Sequence, residues 1–164
     1  AAQAIVAAVT LGASLEAAAE AVGTVRQVAG RYKTYDVSGR KANLLLAKNP
    51  AGWQEALSAV PKEATQMVVA VNGQIPDGED LSWLWDVDFS PLEELPLQKL
   101  VASGERAEDL DVRLTYSGVE AELVEDPLKA IESMETGPVQ VLLNYTAFRD
   151  LKKDLENPDR RGGI

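Results

Sequence analysis

Apolar runs and amphipathic segments alternate along most of the chain after residue 30. The apolar runs are "NLLLA", "MVVAVN", "QKLVASG" and "VQVLLN", and each is short enough to be a single strand. Between the first two runs, Trp53, Leu57 and Val60 recur at helical spacing. Strands that are apolar throughout are typical of parallel sheets with both faces covered. The pattern therefore predicts an α/β fold, a Rossmann-like and mostly parallel sheet with helices on both faces.

Local signals place several of these elements. Asn49 and Asp126 each stand before a proline, which favours helices beginning at Pro50 and Pro127. Further helices are predicted over "ERAEDLDVRLTYS" and "YTAFRDLKKDLEN", with a short strand at "AELVE". The Ser38-Gly39 pair lies between two β-rich runs and predicts a hairpin.

The chain divides into three parts by composition. Residues 1–30 are alanine-rich, with apolar positions at helical spacing on both sides of Gly12, and predict two helices. We expect the α/β domain to cover residues 31–157 and a flexible tail to follow at 158–164. The opening "AAQAIVAA" looks like the middle of a longer chain.

Charge and amino-acid usage exclude several function classes. The formal net charge is −10, so phosphate backbones are repelled and nucleic acid is not expected as a partner. No apolar run approaches the roughly 18 residues of a membrane span, which favours a cytoplasmic protein. The chain has neither cysteine nor histidine. A nucleophile–histidine–acid triad therefore cannot close within it, and a triad carboxylate here would serve a second polypeptide.

The stretch "NGQIPDGEDLSWLWDVDF" combines five acidic residues with two of the three tryptophans. It follows a predicted strand at its carboxyl end, where open parallel sheets bind ligands. A structural interpretation is that Asp80 or Ser82 caps a short helix whose Trp83 and Trp85 pack onto the sheet. A functional one, compatible with the first, is that the rigid loop presents one carboxylate to a partner.

A divalent-metal site in this loop is a further alternative, because clustered carboxylates suit magnesium or calcium. Their spacing matches no EF-hand, so no metal ligand is expected. The carboxylates concerned are Asp77, Glu79, Asp80, Asp86 and Asp88.

Three predicted strands end in asparagine, at Asn49, Asn72 and Asn144. Either these residues only cap helices, or they lie near a bound nucleotide or substrate. Lys48 would then face an anionic group, and the helix beginning at Tyr145 would attract one. No GxxxxGK[ST] loop occurs, so ATP hydrolysis is not encoded in this segment.

Four blocks together resemble the carboxyl-terminal domain of the MurT family, the Mur-ligase-like subunits of lipid II isoglutaminyl synthase. They are "GRYKTYDVSGRKANLLLAKNPAGWQEAL", "VVAVNGQIPDGEDLSWLWDVDF", "ASGERAEDLDVRL" and "LLNYTAF". The resemblance implies a Mur-ligase-type Rossmann-like domain. It also implies that residues 1–30 are the last helices of a central ATPase domain.

The resemblance implies an activity of a two-subunit complex. A GatD-type glutaminase subunit releases ammonia from glutamine, and the complex amidates the D-glutamate α-carboxyl of lipid II at the inner membrane face. This ligase reaction belongs to peptidoglycan biosynthesis in the cell wall. ATP and Mg would be bound elsewhere in the full-length protein, so no cofactor and no activity of its own are expected for this fragment.

The resemblance also implies site residues. The family's triad aspartate, in the motif that reads "DGEDLSW" here, corresponds to Asp80. Asp86 and Asp88 remain alternatives on spacing alone. With these two residues, Trp83 and Trp85 are candidates for anchoring the loop or contacting the partner. "KNP" resembles the strand-end "HNP" of Mur ligases, with lysine in place of histidine.

Two other functions stay open. One is the carboxyl-terminal domain of an amino-acid-adding Mur or folylpolyglutamate-type ligase, although such ligases usually carry the strand-end histidine. The other is a non-enzymatic Rossmann-like module whose acidic loop docks a basic partner.

Overall fold

The computed structural model describes residues 2–24 and 32–157, in two compact units, Ala1–Gly30 and Arg31–Ile164. The first unit contains α1 (Ala2–Thr10) and α2 (Leu15–Gly23), so the two helices predicted there are confirmed. Their assignment to a central domain stays a prediction. The predicted tail, 158–164, lies outside the described residues.

The second unit is built on a six-stranded sheet with the order β1-β2-β6-β3-β4-β5. Only β1 runs antiparallel to its neighbour, and the other four pairings are parallel. The predicted mostly parallel sheet is therefore confirmed. The strands are β1 (Tyr32–Val37), β2 (Arg40–Leu46), β3 (Gln66–Ala70), β4 (Lys99–Ser103), β5 (Glu122–Leu123) and β6 (Gly137–Leu143).

The hairpin between β1 and β2 turns at Ser38 and Gly39, as predicted. Both residues have positive φ, 53° and 82°, and Val37 pairs directly with Arg40. Two successive positive φ angles define the tight turn whose twist matches that of the strands it joins.

Helices cover both faces of the sheet. On one face α3 and α4 pack with Trp53, Phe89 and Leu110 in one apolar cluster. On the other face α5 and α6 pack with Ile131 and Phe148 in a second cluster. The helices are α3 (Pro50–Ser58), α4 (Ala107–Thr115), α5 (Pro127–Glu132) and α6 (Tyr145–Glu156).

The predicted caps of α3 and α5 are confirmed. The Asn49 side chain accepts a hydrogen bond from the Gly52 amide at 2.8 Å, and Asp126 accepts one from the Leu128 amide at 2.9 Å. The helix predicted over "ERAEDLDVRLTYS" is shorter than expected and begins at Ala107. In the described parts of the chain, every helix is too short or too polar to cross a membrane.

At the centre of the sheet, the connections that follow two neighbouring parallel strands leave to opposite faces. β3 continues into a loop whose Leu81, Leu84 and Phe89 belong to the cluster around α3 and α4. Its neighbour β6 continues into α6 on the opposite face. Adjacent strands whose connections leave to opposite faces form the kind of crevice at which α/β proteins bind ligands.

Candidate functional site

Two of the strand-end asparagines, Asn72 and Asn144, form hydrogen bonds between the carboxyl ends of the central strands. The Asn144 side chain accepts a hydrogen bond from the Asn72 amide at 3.0 Å and donates one to the Asn72 carbonyl at 2.7 Å. The Asn72 side chain in turn accepts from the Glu105 amide at 3.0 Å. Both asparagines are buried. The sheet therefore brings the ends of β3, β4 and β6 together, and the two buried amides serve the fold.

The other predicted nucleotide-proximal residues are open to solvent. Lys48 is exposed, and its Nζ lies 4.8 Å from the centre of the Tyr145 ring. The Asn49 side chain caps α3. Lys48 and Tyr145 thus stand side by side at the ends of β2 and β6, and their approach to a nucleotide stays a prediction.

The start of α6 attracts an anion, as the sequence indicates, but that anion comes from the chain itself. The Asp77 carboxylate accepts hydrogen bonds from the Tyr145 amide at 3.1 Å and from the Thr146 amide at 2.8 Å. It also accepts one from the Thr146 hydroxyl. Free amides and the helix dipole at this terminus favour a negative charge. Asp77 therefore fastens the first part of the acidic loop to α6.

Gln74 adds further hydrogen bonds between the acidic loop and its neighbours. Its side-chain amide donates to Glu105 at 2.7 Å and to Asp150 at 3.0 Å, and its carbonyl oxygen accepts from Arg149 at 2.6 Å. Hydrogen bonding from the Arg149 guanidinium also holds the pKa of Asp150 below its usual value. The loop after β3 is thus joined to the loop after β4 and to α6.

Asp80, the predicted triad residue, is exposed on the following segment of the loop. Its Oδ1 accepts a hydrogen bond from the Ser82 amide at 2.8 Å. Bonds from the Ser82 amide and hydroxyl lower the pKa of Asp80, so the carboxyl is an ionised acceptor at neutral pH. It lines an open groove of about 520 Å³, together with Leu84, Trp85, Arg106, Glu108 and Val112 among others.

The alternative carboxylates are exposed like Asp80, and Asp88 is bonded to a serine in the same way, but both lie outside the groove. Asp88 accepts hydrogen bonds from the Ser90 hydroxyl at 2.7 Å and the Ser90 amide at 3.0 Å, and these bonds lower its pKa. Asp86 is exposed. Neither residue lines the groove that contains Asp80. Geometry thus sets Asp80 apart from the two carboxylates that spacing alone could not exclude.

The two tryptophans of the loop point in different directions. The Trp83 ring lies 6.0 Å from the Trp53 ring and packs against the cluster around α3. Trp85 is 55% exposed, and the centre of its ring lies 5.3 Å from that of Tyr116, directly after α4. Packing onto the core is therefore confirmed for Trp83 and wrong for Trp85. The predicted short helix is present as a 3₁₀ helix over residues 82–86, and in any helix two positions that are two residues apart face different sides.

Sequence reasoning missed Arg113, which holds the same loop segment from α4. Its Nε donates to the Leu84 carbonyl at 3.0 Å and its Nη2 to the Val87 carbonyl. These partners are 29 and 26 residues away along the chain, so no local motif indicates the contact.

The acidic loop does not gather its carboxylates around one point. Within residues 2–24 and 32–157, no three acidic side chains converge as metal ligands. Asp77 turns to α6 and Asp88 to Ser90. Asp77 is thus occupied by the start of α6, whereas Asp80 faces an open groove.

Comparison with known proteins gives a family match. The profile described as MurT ligase C-terminal matches residues 46–148. Among curated proteins, the Streptococcus pneumoniae "Lipid II isoglutaminyl synthase (glutamine-hydrolyzing) subunit MurT" is 29% identical over 151 residues, or 87% of this chain and 34% of that protein. The Staphylococcus aureus protein of the same name is 31% identical over 140 residues, 82% of this chain and 32% of its own length. The chain thus spans about a third of the length of these relatives.

Solved structures of ligases share the fold. The UDP-N-acetylmuramate-alanine ligase MurC of Thermotoga maritima aligns with a TM-score of 0.57 at 17% identity, over 94% of this chain and 36% of the ligase. Folylpolyglutamate synthase of the same organism aligns with a TM-score of 0.53 at 18% identity, over 93% and 36%. These similarities confirm the predicted Rossmann-like fold of the Mur ligase type.

Proposed function

Since this chain belongs to the MurT ligase C-terminal family, we propose that it acts as the carboxyl-terminal domain of a lipid II isoglutaminyl synthase subunit. In this proposal the complete complex hydrolyses glutamine and uses the ammonia to amidate the D-glutamate α-carboxyl of lipid II at the cytoplasmic membrane face. The names of both relatives, which contain "glutamine-hydrolyzing" and "subunit", support a glutamine-dependent reaction carried out by an assembly.

The domain's own contribution is to bind a GatD-type glutaminase subunit and to supply Asp80 as the aspartate of that subunit's catalytic triad. The observation that carries this proposal is the exposed Asp80 carboxylate, ionised and held by Ser82, in a chain with no cysteine or histidine. An aspartate at such a position accepts a hydrogen bond from the partner's imidazole N–H. It fixes the ring's tautomer and orientation, and it stabilises the imidazolium that forms as the partner's thiol loses its proton.

ATP and Mg do not fit the residues of this chain as a site of its own. The chain has no phosphate-binding GxxxxGK[ST] loop, and the amides at the start of α6 already bind Asp77. We therefore assign nucleotide binding to other parts of the full-length subunit. Lys48, Asn49 and Tyr145 are the residues that this domain would bring near the nucleotide or the acceptor.

The test is glutaminase turnover in the complex formed by the full-length subunit and its glutaminase partner. Asp80→Asn removes the charge but leaves an oxygen that can still accept from the Ser82 amide, so the loop keeps its turn. We expect unchanged assembly and a fall in kcat of at least about a hundredfold, because the imidazolium loses its stabilising charge.

Three exposed carboxylates of the same loop provide matched controls. Asp86→Asn, Asp88→Asn and Glu79→Gln remove one charge each near Asp80 and should leave most of the turnover. Full turnover with Asp80→Asn would remove this residue from the mechanism. A large loss with Asp86→Asn or Asp88→Asn instead would transfer the role to that residue.

A further inference from the structure

Arg113 connects α4 to the loop segment that carries Asp80. Its guanidinium donates to the carbonyls of Leu84 and Val87, and its third donor group reaches the Ser117 hydroxyl. The same group lies 5.5 Å from the centre of the Trp85 ring and 5.6 Å from that of Phe89. One side chain therefore contacts both the backbone and the rings of this segment.

A short hydrogen-bonded path leads from these carbonyls to Asp80. The 3₁₀ helix Ser82–Asp86 is closed by the Leu84 amide, which donates to the Leu81 carbonyl at 2.9 Å. Its first residue, Ser82, donates its amide to the Asp80 carboxylate at 2.8 Å. Asp80 and the Leu84 carbonyl that Arg113 holds are thus the two ends of one hydrogen-bonded turn.

Burial alone does not fix the orientation of this turn. Leu81, Leu84 and Val87 are buried in the core and set the depth of the segment, but apolar burial has no direction. Hydrogen bonds do have direction. A guanidinium suits the task because it is planar, always charged and carries several donors in a fixed arrangement, whereas a lysine offers a flexible point charge.

We propose that Arg113 is a positioning residue for the reaction, holding the Ser82–Asp86 turn so that Asp80 meets the partner's imidazole in productive geometry. This inference rests on the function proposed above for Asp80. The hydrogen bonds of Arg113 go to Leu84, Val87 and Ser117, so in this proposal its effect reaches the chemistry through Asp80.

The first test compares Arg113→Gln and Arg113→Lys in the full-length subunit assembled with its glutaminase partner. With Arg113→Gln, kcat for glutamine hydrolysis should fall roughly tenfold to a hundredfold, since a displacement of about 1 Å has an effect of that order. The KM for glutamine should stay unchanged, because glutamine binds on the partner. Arg113→Lys should lie between the wild type and Arg113→Gln.

Arg40 provides a matched control elsewhere in the fold. It also donates to two backbone carbonyls, from Nε to Met134 at 2.7 Å and from Nη1 to Ser38 at 3.2 Å, but at the amino-terminal end of β2. Arg40→Gln should lower thermal stability while leaving kcat unchanged. Equal losses of kcat in Arg40→Gln and Arg113→Gln would reduce the role of Arg113 to general stability and overturn the inference.

The second test is a double-mutant cycle with Asp80→Asn. If Arg113 acts through Asp80, adding Arg113→Gln to Asp80→Asn should not lower the residual turnover further. Amide hydrogen exchange gives a second measurement that needs no activity: Arg113→Gln should speed exchange in residues 81–88 and not in β3 or β6.

The outcomes separate the two proposals. Wild-type kcat in Arg113→Gln, or a further loss of the same size in the double variant, overturns the positioning role and leaves that of Asp80 intact. Full turnover in Asp80→Asn overturns the proposed function, and the role of Arg113 fails with it.

Discussion

Asp77 and Asp80 are three residues apart in one loop, yet their carboxylates have different surroundings. Asp77 is half-buried and accepts two amides and a hydroxyl at the start of α6. Asp80 is exposed and, among the residues that the structure describes, accepts hydrogen bonds from Ser82 alone. The hydrogen bonds around each residue, and not its type, therefore decide which carboxylate can be offered to a partner.

The Asp77 contact leads to a stability prediction. Asp77→Asn removes the negative charge from the helix terminus and places a donor where acceptors are needed. The α/β unit should lose about 1–3 kcal/mol of unfolding free energy. The measurement is urea unfolding followed by circular dichroism, with Glu79→Gln as the exposed control. Equal midpoints for Asp77→Asn and the wild type would contradict this account of the α6 terminus.

At the scale of single residues, the sequence predicted those hydrogen bonds whose two partners lie close together along the chain. Asn49 and Asp126 cap helices through amides two or three residues away, and such pairs can be seen in the sequence. Asp77 meets Thr146 across 69 positions, and Arg113 meets Leu84 across 29. Nothing in the spacing of these residues indicates a contact that depends on the order of the strands.

Among the elements, two of the three strand-end asparagines, Asn72 and Asn144, link secondary structures and do more than cap one helix. Asn49 accepts only at the start of α3. Asn144 caps α6 through the Ala147 amide and also exchanges two hydrogen bonds with Asn72 at the end of β3. Asn144 therefore joins the ends of β3 and β6 in addition to capping α6.

A matched pair of substitutions measures this difference. Asn49→Ala removes a cap and should cost about 1 kcal/mol of stability. Asn144→Ala removes a cap and also leaves the buried polar groups of Asn72 unpaired, so it should cost roughly 2–4 kcal/mol. Chemical unfolding of the two variants under identical conditions checks the prediction. Similar losses would mean that the Asn72–Asn144 pair adds nothing beyond capping.

The helices and strands themselves were predictable, because each has its own spacing of apolar positions and its own residues at the boundaries. The hairpin followed from Ser38-Gly39, and the parallel strands followed from their continuous apolar runs. Strand order was not predictable. The runs of β3 and β6 are both buried and mostly apolar, so neither run indicates which strand lies beside it. The helix at Ser82–Asp86 was predicted as a short helix, but the outward direction of Trp85 was not.

For the whole molecule, the proposed function separates glutamine hydrolysis from ATP use. A chain that supplies only a triad carboxylate should restore glutaminase turnover when mixed with the glutaminase subunit, with no ATP present. Ammonia release from glutamine measures this turnover. The same chain carrying Asp80→Asn should give at least about a hundredfold less. A stable complex without glutamine hydrolysis would show that other parts of the full-length subunit are needed to complete the centre.

The loop that carries Asp80 is fastened to both layers of the domain. Asp77 holds it to α6 on one face of the sheet, and Arg113 holds its other part to α4 on the opposite face. The position of the Asp80 carboxylate therefore depends on the packing of both helical layers against the sheet. A substitution that loosens either layer should therefore shift the Asp80 carboxylate, even when the sequence of the loop itself is unchanged.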